Sequence, residues 1–177
     1  MLLTLGSARS AGLLHDTVVL HRPDDDAVRS LAIDYRCYPV ATRSSQGELS
    51  DSLRAGIEMI RGRETGHAPT GLLICLGDQP LLRADVIRAL IETWAHGGSA
   101  AVRPSYRESP GEPGHPLLVD WSVWPLASEM RGEQGFAPVL QRRGISIRTI
   151  SVGGSNPDVD TPEDLEALEQ QASPTPF

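Results

Sequence analysis

Residues 72–80, LLICLGDQP, constrain what this chain can fold into more than any other stretch. Five consecutive apolar residues after Gly71 suit a β-strand covered on both faces, and Gly77 lets the backbone turn sharply where the strand ends. Asp78 is then held at a strand tip. Pro80 and the apolar-periodic run Val86, Ile87, Leu90, Ile91 and Trp94 follow, so the carboxylate lies in a strand-to-helix crossover, where open α/β sheets bind ligands. A carboxylate there serves a metal or a substrate, or it only hydrogen-bonds the turn. This segment by itself leaves the choice open.

The neighbouring segments continue the alternation of strands and helices. Residues 17–21 (TVVLH) read as a strand, preceded by a fragment of helix ending at Gly12. Pro23 and three aspartates at 24–26 begin a helix continued by Ala27, Val28, Leu31 and Ala32. The acids offset the helix dipole, because consecutive helical residues do not converge on one metal. A strand over 36–42 runs into the polar, exposed loop 43–50 and a helix over 51–60 that turns Leu53, Ile57 and Ile60 to the core. Ser50 is placed as its N-cap, which either completes the helix or leaves amides free to hold an anion.

After the crossover helix, Ala100, Ala101 and Val102 form a short strand, followed by a Gly- and Pro-punctuated loop over 103–116 and a strand over 117–119. Loops of that length are commonly functional, and His115 either orients a ligand or is a solvated turn residue. Trp121, Trp124, Pro125 and Leu126 read as an apolar anchor, and a helix over 134–142 carries Phe136, Val139 and Leu140. Alternation over 145–152 predicts a half-buried, antiparallel strand and therefore a mixed sheet. At the end, Thr161 as N-cap, Pro162 at the first helical position and acidic Glu163 and Asp164 make a complete helix start. Asp158 and Asp160 are not used by that start. An extended segment directs both to one side, where they meet Asp78 if the two loops meet, or else avoid one another on a solvated turn.

Composition narrows the function classes. The 177 residues fit one domain over 1–177, with a frayed tail over 172–177, and 40% hydrophobic content is enough for a core. Sixteen basic against 23 acidic residues give a net charge of -7 without a basic run, which argues against nucleic acid or an anionic membrane as partner. Small-molecule substrates fit better. All basic residues are Arg, which removes one common phosphate-binding side chain. Cys37 and Cys75 lack metal-ligand spacing and fit reduced core residues. No stretch approaches the ~20 apolar residues of a membrane span, and the first five residues are too short for a signal-peptide core, so a cytoplasmic location is expected.

Three separated motifs occur in order: GELSDSLRAG at 47–56, LGDQPLL at 76–82 with GHPLLV at 114–119, and DVDTPEDL at 158–165. The combination resembles the MobA-like nucleotidyltransferase family, most of all its molybdenum cofactor cytidylyltransferase branch, over roughly residues 12–171. The resemblance implies a three-layer α/β/α, Rossmann-like nucleotide-binding fold with a mostly parallel, mixed sheet. It implies transfer of a nucleoside monophosphate, CMP first, from CTP or GTP to a phosphorylated acceptor such as molybdopterin, with release of pyrophosphate. It further makes Asp78 and Asp160 the catalytic carboxylates and Mg²⁺ ligands. Ser50, Ser52, Gly77 and Asp78 then lie against the nucleotide, and Gly114, His115 and Pro116 line the acceptor pocket.

The chain departs from the family at its start. Members open with a strand and a glycine-rich loop of the form LAAGxSxRMGxxK that holds the triphosphate. Here LGSARSAG at 5–12 is one residue short between Gly6 and Arg9 and no Lys follows, so residues 2–12 align better with the family's first helix. The fold is accordingly expected to be N-terminally truncated, with slow turnover and an exposed edge beside the 72–76 strand. The rival reading is a catalytically inactive homologue that binds or regulates in molybdenum cofactor metabolism. A second copy of the chain or a molybdenum enzyme would be its protein partner.

Overall fold

A computed structural model describes residues 1–43, 47–63, 70–109, 111 and 114–172, the last four as backbone. Its helices are α1 (Leu2–Ser10), α2 (Asp26–Asp34), α3 (Leu49–Arg61), α4 (Ala84–Ala95), α5 (Phe136–Arg142) and α6 (Pro162–Ala172). Its strands are β1 (Val18–His21), β2 (Tyr38–Ala41), β3 (Gly71–Ile74), β4 (Ala101–Tyr106), β5 (Leu117–Asp120) and β6 (Arg148–Val152), and a 3₁₀ segment spans Trp121–Glu129. The expected exposure of residues 44–46, the loop residues 110, 112 and 113, and the frayed tail at 173–177 lie outside the described residues.

The strands form two ladders. β1 and β2 pair in parallel, and the other four run in the order β3-β5-β4-β6. β5 is antiparallel to both its neighbours and β6 is parallel to β4, so three of those four strands point one way. The sheet is mixed, as expected. The reversed strand, however, is β5, whereas the segment at 145–152 yields a parallel strand confined to Arg148–Val152. Strand β3 closes one edge of its ladder, and its faces are both covered, Leu72 and Ile74 packing under α3 and α5 and Leu73 under α4 and α1, although Gly71, Leu72 and Leu73 stay half-buried.

Helices on both faces join the two ladders. On one face Leu53 and Ile57 of α3 pack with Ile74, Leu117 and Val119 and with Phe136, Val139 and Leu140 of α5. The same helix reaches β1, since a side chain on Gly56 would meet Leu20 at 3.3 Å. On the other face Val86 and Leu90 of α4 pack with Val102, Tyr106 and Leu118. Leu5 and Ala8 of α1 join Leu82 and Ile87 and reach Leu73 and Cys75. Arg9 ends α1 by donating to the carbonyls of Tyr35 at 2.6 Å and Arg36 at 2.9 Å. Residues 2–10 therefore form a helix, and the Arg9 guanidinium is committed to the α2–β2 connection.

Local chemistry explains most boundaries. The Asp25 carboxylate accepts from the Val28 amide at 2.9 Å, which makes the aspartates at 24–26 a helix start. Thr161 and Asp164 cap α6 reciprocally: the Asp164 amide donates to Thr161 Oγ1 at 3.2 Å, and the Thr161 amide donates to Asp164 Oδ2 at 2.9 Å. Strand β4 runs through Arg103 and Pro104 to Tyr106, where the sequence suggests a loop. Because β5 pairs with β4 at Ala101 and Val102 alone, Pro104 sits where one flank of the strand carries no ladder. Trp124 is buried as an anchor should be, but Trp121 is 61% exposed.

Candidate active site

The loop after β3 and the segment after β6 meet at the carboxyl end of the larger ladder. The Val159 amide donates to the Asp78 carbonyl at 2.9 Å. Beside that bond, Gln79 Nε2 donates to Asp158 Oδ1 at 2.7 Å, and Asn156 Nδ2 donates to Gln79 Oε1 at 3.2 Å. Arg83, next to the start of α4, donates to the Gly153 carbonyl at 2.9 Å and holds Asp85 well below the usual carboxylate range. These bonds fix the backbone of both loops. They leave the carboxylates of Asp78 and Asp160 in solvent and without a hydrogen-bond partner among the described residues.

The two aspartates of the closing segment are not equivalent. Asp158 is spent on Gln79, whereas only the Asp160 backbone is engaged, its amide donating to Asp164 Oδ2 at 3.2 Å. No group of three His, Cys, Asp or Glu side chains among the described residues is placed to hold a metal ion. A pair of free carboxylates with water and substrate oxygens completing the shell is nonetheless a donor set suited to a hard divalent cation. A thiolate does not compete. Burial pushes the Cys75 thiol up to about 12, and both cysteines are free.

His115 stands across from this junction. Its Nδ1 is buried without a partner, and the ring lies in the fields of Asp158, Arg103 and Asp78. Burial, the largest influence, holds its pKa below the ordinary histidine value despite the Ile74 carbonyl and the two acids. The Tyr106 hydroxyl donates to the His115 carbonyl at 2.8 Å and fixes this turn. Gly114 packs so tightly that a Cβ would lie 2.5 Å from the Pro104 carbonyl oxygen. Pro116 is fully buried beyond it. At Gly77 the chain turns as expected, the Gln79 amide donating to the Leu76 carbonyl at 3.4 Å, but the turn does not require glycine: its φ is not positive, and a Cβ there would meet nothing within 4 Å. The space above Gly77 is open.

Ser50 departs from expectation. Helix α3 starts at Leu49 with Glu48 as N-cap, so Ser50 is inside the helix and wholly buried. Its hydroxyl donates to Glu48 Oε2 at 3.4 Å and its amide to the Gly132 carbonyl at 3.1 Å. Ser52 is partly exposed and its hydroxyl is directed to the Glu48 carbonyl. Gln79 and Asn156, which build the junction, give little signal in the sequence beyond the position of Gln79 next to Asp78. A cleft lined by Trp94, Gly97, Gly98, Asp120 and Ser122 opens at the opposite end of the sheet, away from the carboxylates.

A mixed, open sheet with helices on both faces and free carboxylates on the loops beyond its strand ends defines a Rossmann-like nucleotide-binding architecture. The chain belongs to the MobA-like NTP transferase domain family, whose model matches residues 3–147. A phosphoenolpyruvate guanylyltransferase of Sphaerobacter thermophilus is 31% identical over 172 residues, covering 95% of this chain and 74% of the relative. The crystal structure of Rv0371c from Mycobacterium tuberculosis superposes with a TM-score of 0.73 at 25% identity, covering 94% of this chain and 82% of that one. That protein has also been solved as a manganese complex. The molybdopterin-guanine dinucleotide biosynthesis protein A of Archaeoglobus fulgidus shares the fold, with a TM-score of 0.61 at 14% identity over 97% of this chain and 85% of that one.

Proposed function

We propose that this chain transfers a nucleoside monophosphate, with CMP the first candidate, from a nucleoside triphosphate to a phosphorylated acceptor of the molybdopterin type, releasing pyrophosphate. The observation that carries the reading is the junction of the 76–80 and 153–160 loops. Bonds through the Asp78 carbonyl, Gln79 and Asp158 position the backbone and leave two carboxylates free.

Asp78 and Asp160 would hold Mg²⁺, which when bound neutralises charge on the phosphates. The open space above Gly77 leaves room for phosphate oxygens beside Asp78. The partly exposed first turn of α3 at Ser52, anchored from inside by Ser50, faces the nucleotide. The turn Gly114, His115 and Pro116 forms the acceptor wall. An acceptor phosphate oxygen attacks the α-phosphorus, and the bond from that phosphorus to the β-phosphate oxygen breaks. With Arg9 bound to backbone carbonyls and no Lys in the sequence, neither supplies the leaving-group clamp.

A guanylyltransferase at 31% identity gives GTP and a phosphorylated carboxylic acid the next claim. The test is pyrophosphate release with Mg²⁺ and CTP or GTP against molybdopterin and phosphoenolpyruvate, run beside calorimetric titration of each nucleotide and of molybdopterin. Release in any pairing supports transfer and selects the substrates. Binding of nucleotide or molybdopterin without release favours the regulatory homologue, and binding of neither overturns both.

A further inference from the structure

We propose that Arg103 recognises an anionic group of the acceptor, a phosphate or carboxylate, beside His115. The inference rests on the nucleotidyl-transfer reading and adds to it a residue that no motif marks. Along β4, Val102 and Tyr106 face α4, whereas Ala101 faces the core under α3 and α5. Alternation places Arg103 on the same side as Ala101. On β5, Leu117 and Val119 face that side as well, and His115 precedes Leu117 by two residues.

An arginine on the inner face of a paired strand needs a reason. Arg103 Nε is buried without a hydrogen-bond partner, and Arg103 takes part in none of the four ion pairs found among the described residues. Those join Arg54 to Asp51, Arg63 to Asp16, Arg83 to Asp85 and Arg143 to Glu129. A buried donor left unpaired costs about 1–3 kcal/mol, more when charged. A planar oxyanion accepting from the guanidinium fork removes that cost and is held in a defined orientation.

His115 lies near Arg103. Its Nδ1 is buried without a partner, and the ring lies within electrostatic range of Arg103, Asp78 and Asp158. An oxyanion on Arg103 is therefore held near the histidine that also senses the carboxylate junction, where the second substrate is wanted.

The test uses inorganic phosphate as probe and the intact chain. Phosphate is titrated into the wild type, Arg103→Gln and Arg103→Lys, by calorimetry and by the imidazole NMR resonances of His115. Phosphate should shift the His115 signals in the wild type, and Arg103→Gln should weaken phosphate about tenfold or more. Arg103→Lys, a point charge without the fork, should retain part of the affinity. Mg²⁺-bound CTP and GTP should bind all three proteins alike. No His115 shift at saturating phosphate, or equal affinity in wild type and a folded Arg103→Gln, overturns the proposal. Loss of nucleotide affinity instead would assign Arg103 to the nucleotide. Because the phosphate arm needs no nucleotide, it succeeds or fails independently of the transfer reading.

Discussion

Among the described residues, two strand-following loops are tied to a distant segment through an acidic residue, and they spend the acid differently. At the start of α3, Glu48 Oε2 accepts from the Gly132 amide at 2.9 Å and from the Ser50 hydroxyl, closing the contact around the buried serine. At the end of β3, the tie runs through the Asp78 carbonyl and through Gln79 to Asp158, and the Asp78 carboxylate stays in water. The first junction satisfies itself and contributes stability. The second is fixed by its backbone and its amide side chains, so its remaining acids are available to a ligand. A polar residue at a loop end is thus read correctly by asking whether its side chain already has partners.

The sharpest way to break this comparison is Asp78→Ala. The side chain takes no part in the junction, so the melting temperature should hold, with a stability change within about 0.5 kcal/mol. Mg²⁺-dependent nucleotide binding or turnover should fall about a hundredfold or more. Calorimetry with Mg²⁺ and CTP or GTP on both proteins is decisive, and equal binding would remove Asp78 from the metal site.

Glu48→Ala should do the reverse. It strands the Ser50 hydroxyl and the Gly132 amide, costing about 1–2 kcal/mol in a thermal or urea melt while nucleotide affinity is kept. A drop in nucleotide affinity without loss of stability would give the Glu48 carboxylate itself a contact with the ligand.

The pair Asp160→Asn and Asp158→Asn sharpens the comparison inside the second junction. Asp160→Asn should weaken Mg²⁺ or Mn²⁺ affinity, measured by direct titration, about tenfold. Asp158→Asn should act mainly on stability, because Gln79 already occupies that carboxylate. A larger metal effect from Asp158→Asn would exchange the two roles.

The smallest effect is a pH dependence. His115 has its pKa lowered from 6.5 chiefly by burial, so on acidification the unfolded chain takes up a proton that the folded chain refuses. Stability should decline as pH falls from about 6.5 until the folded site itself protonates. His115→Gln should flatten that part of the profile in urea melts at pH 7 and pH 5.5. An unchanged slope would mean that His115 is not the group responsible.

Sequence reading located the crossover that carries Asp78, the helix starts at Asp25 and Thr161, the strand at Leu117–Asp120 and the family, because each rests on local rules. Hydrophobic period, capping chemistry and motif order are all written in neighbouring residues. The misplaced features depended on distant partners. Glu48 displaced Ser50 as N-cap because Gly132, 84 residues away, supplies an amide that its carboxylate accepts. Residues 103–106 became strand because β6 offers a parallel ladder to a segment whose Pro104 reads locally as a loop. The division of labour between Asp158 and Asp160 was likewise invisible in the DVD repeat, since it is set by Gln79, 79 residues before Asp158. Arg103 and His115 come near one another only because β5 folds back antiparallel between β3 and β4. By itself, then, the sequence determined most of the helices and strands, where the acids sit and which family they belong to. The tertiary structure decided which polar groups are already satisfied and which are left for a ligand, because hydrogen-bond satisfaction is a property of spatial neighbours and not of sequence neighbours.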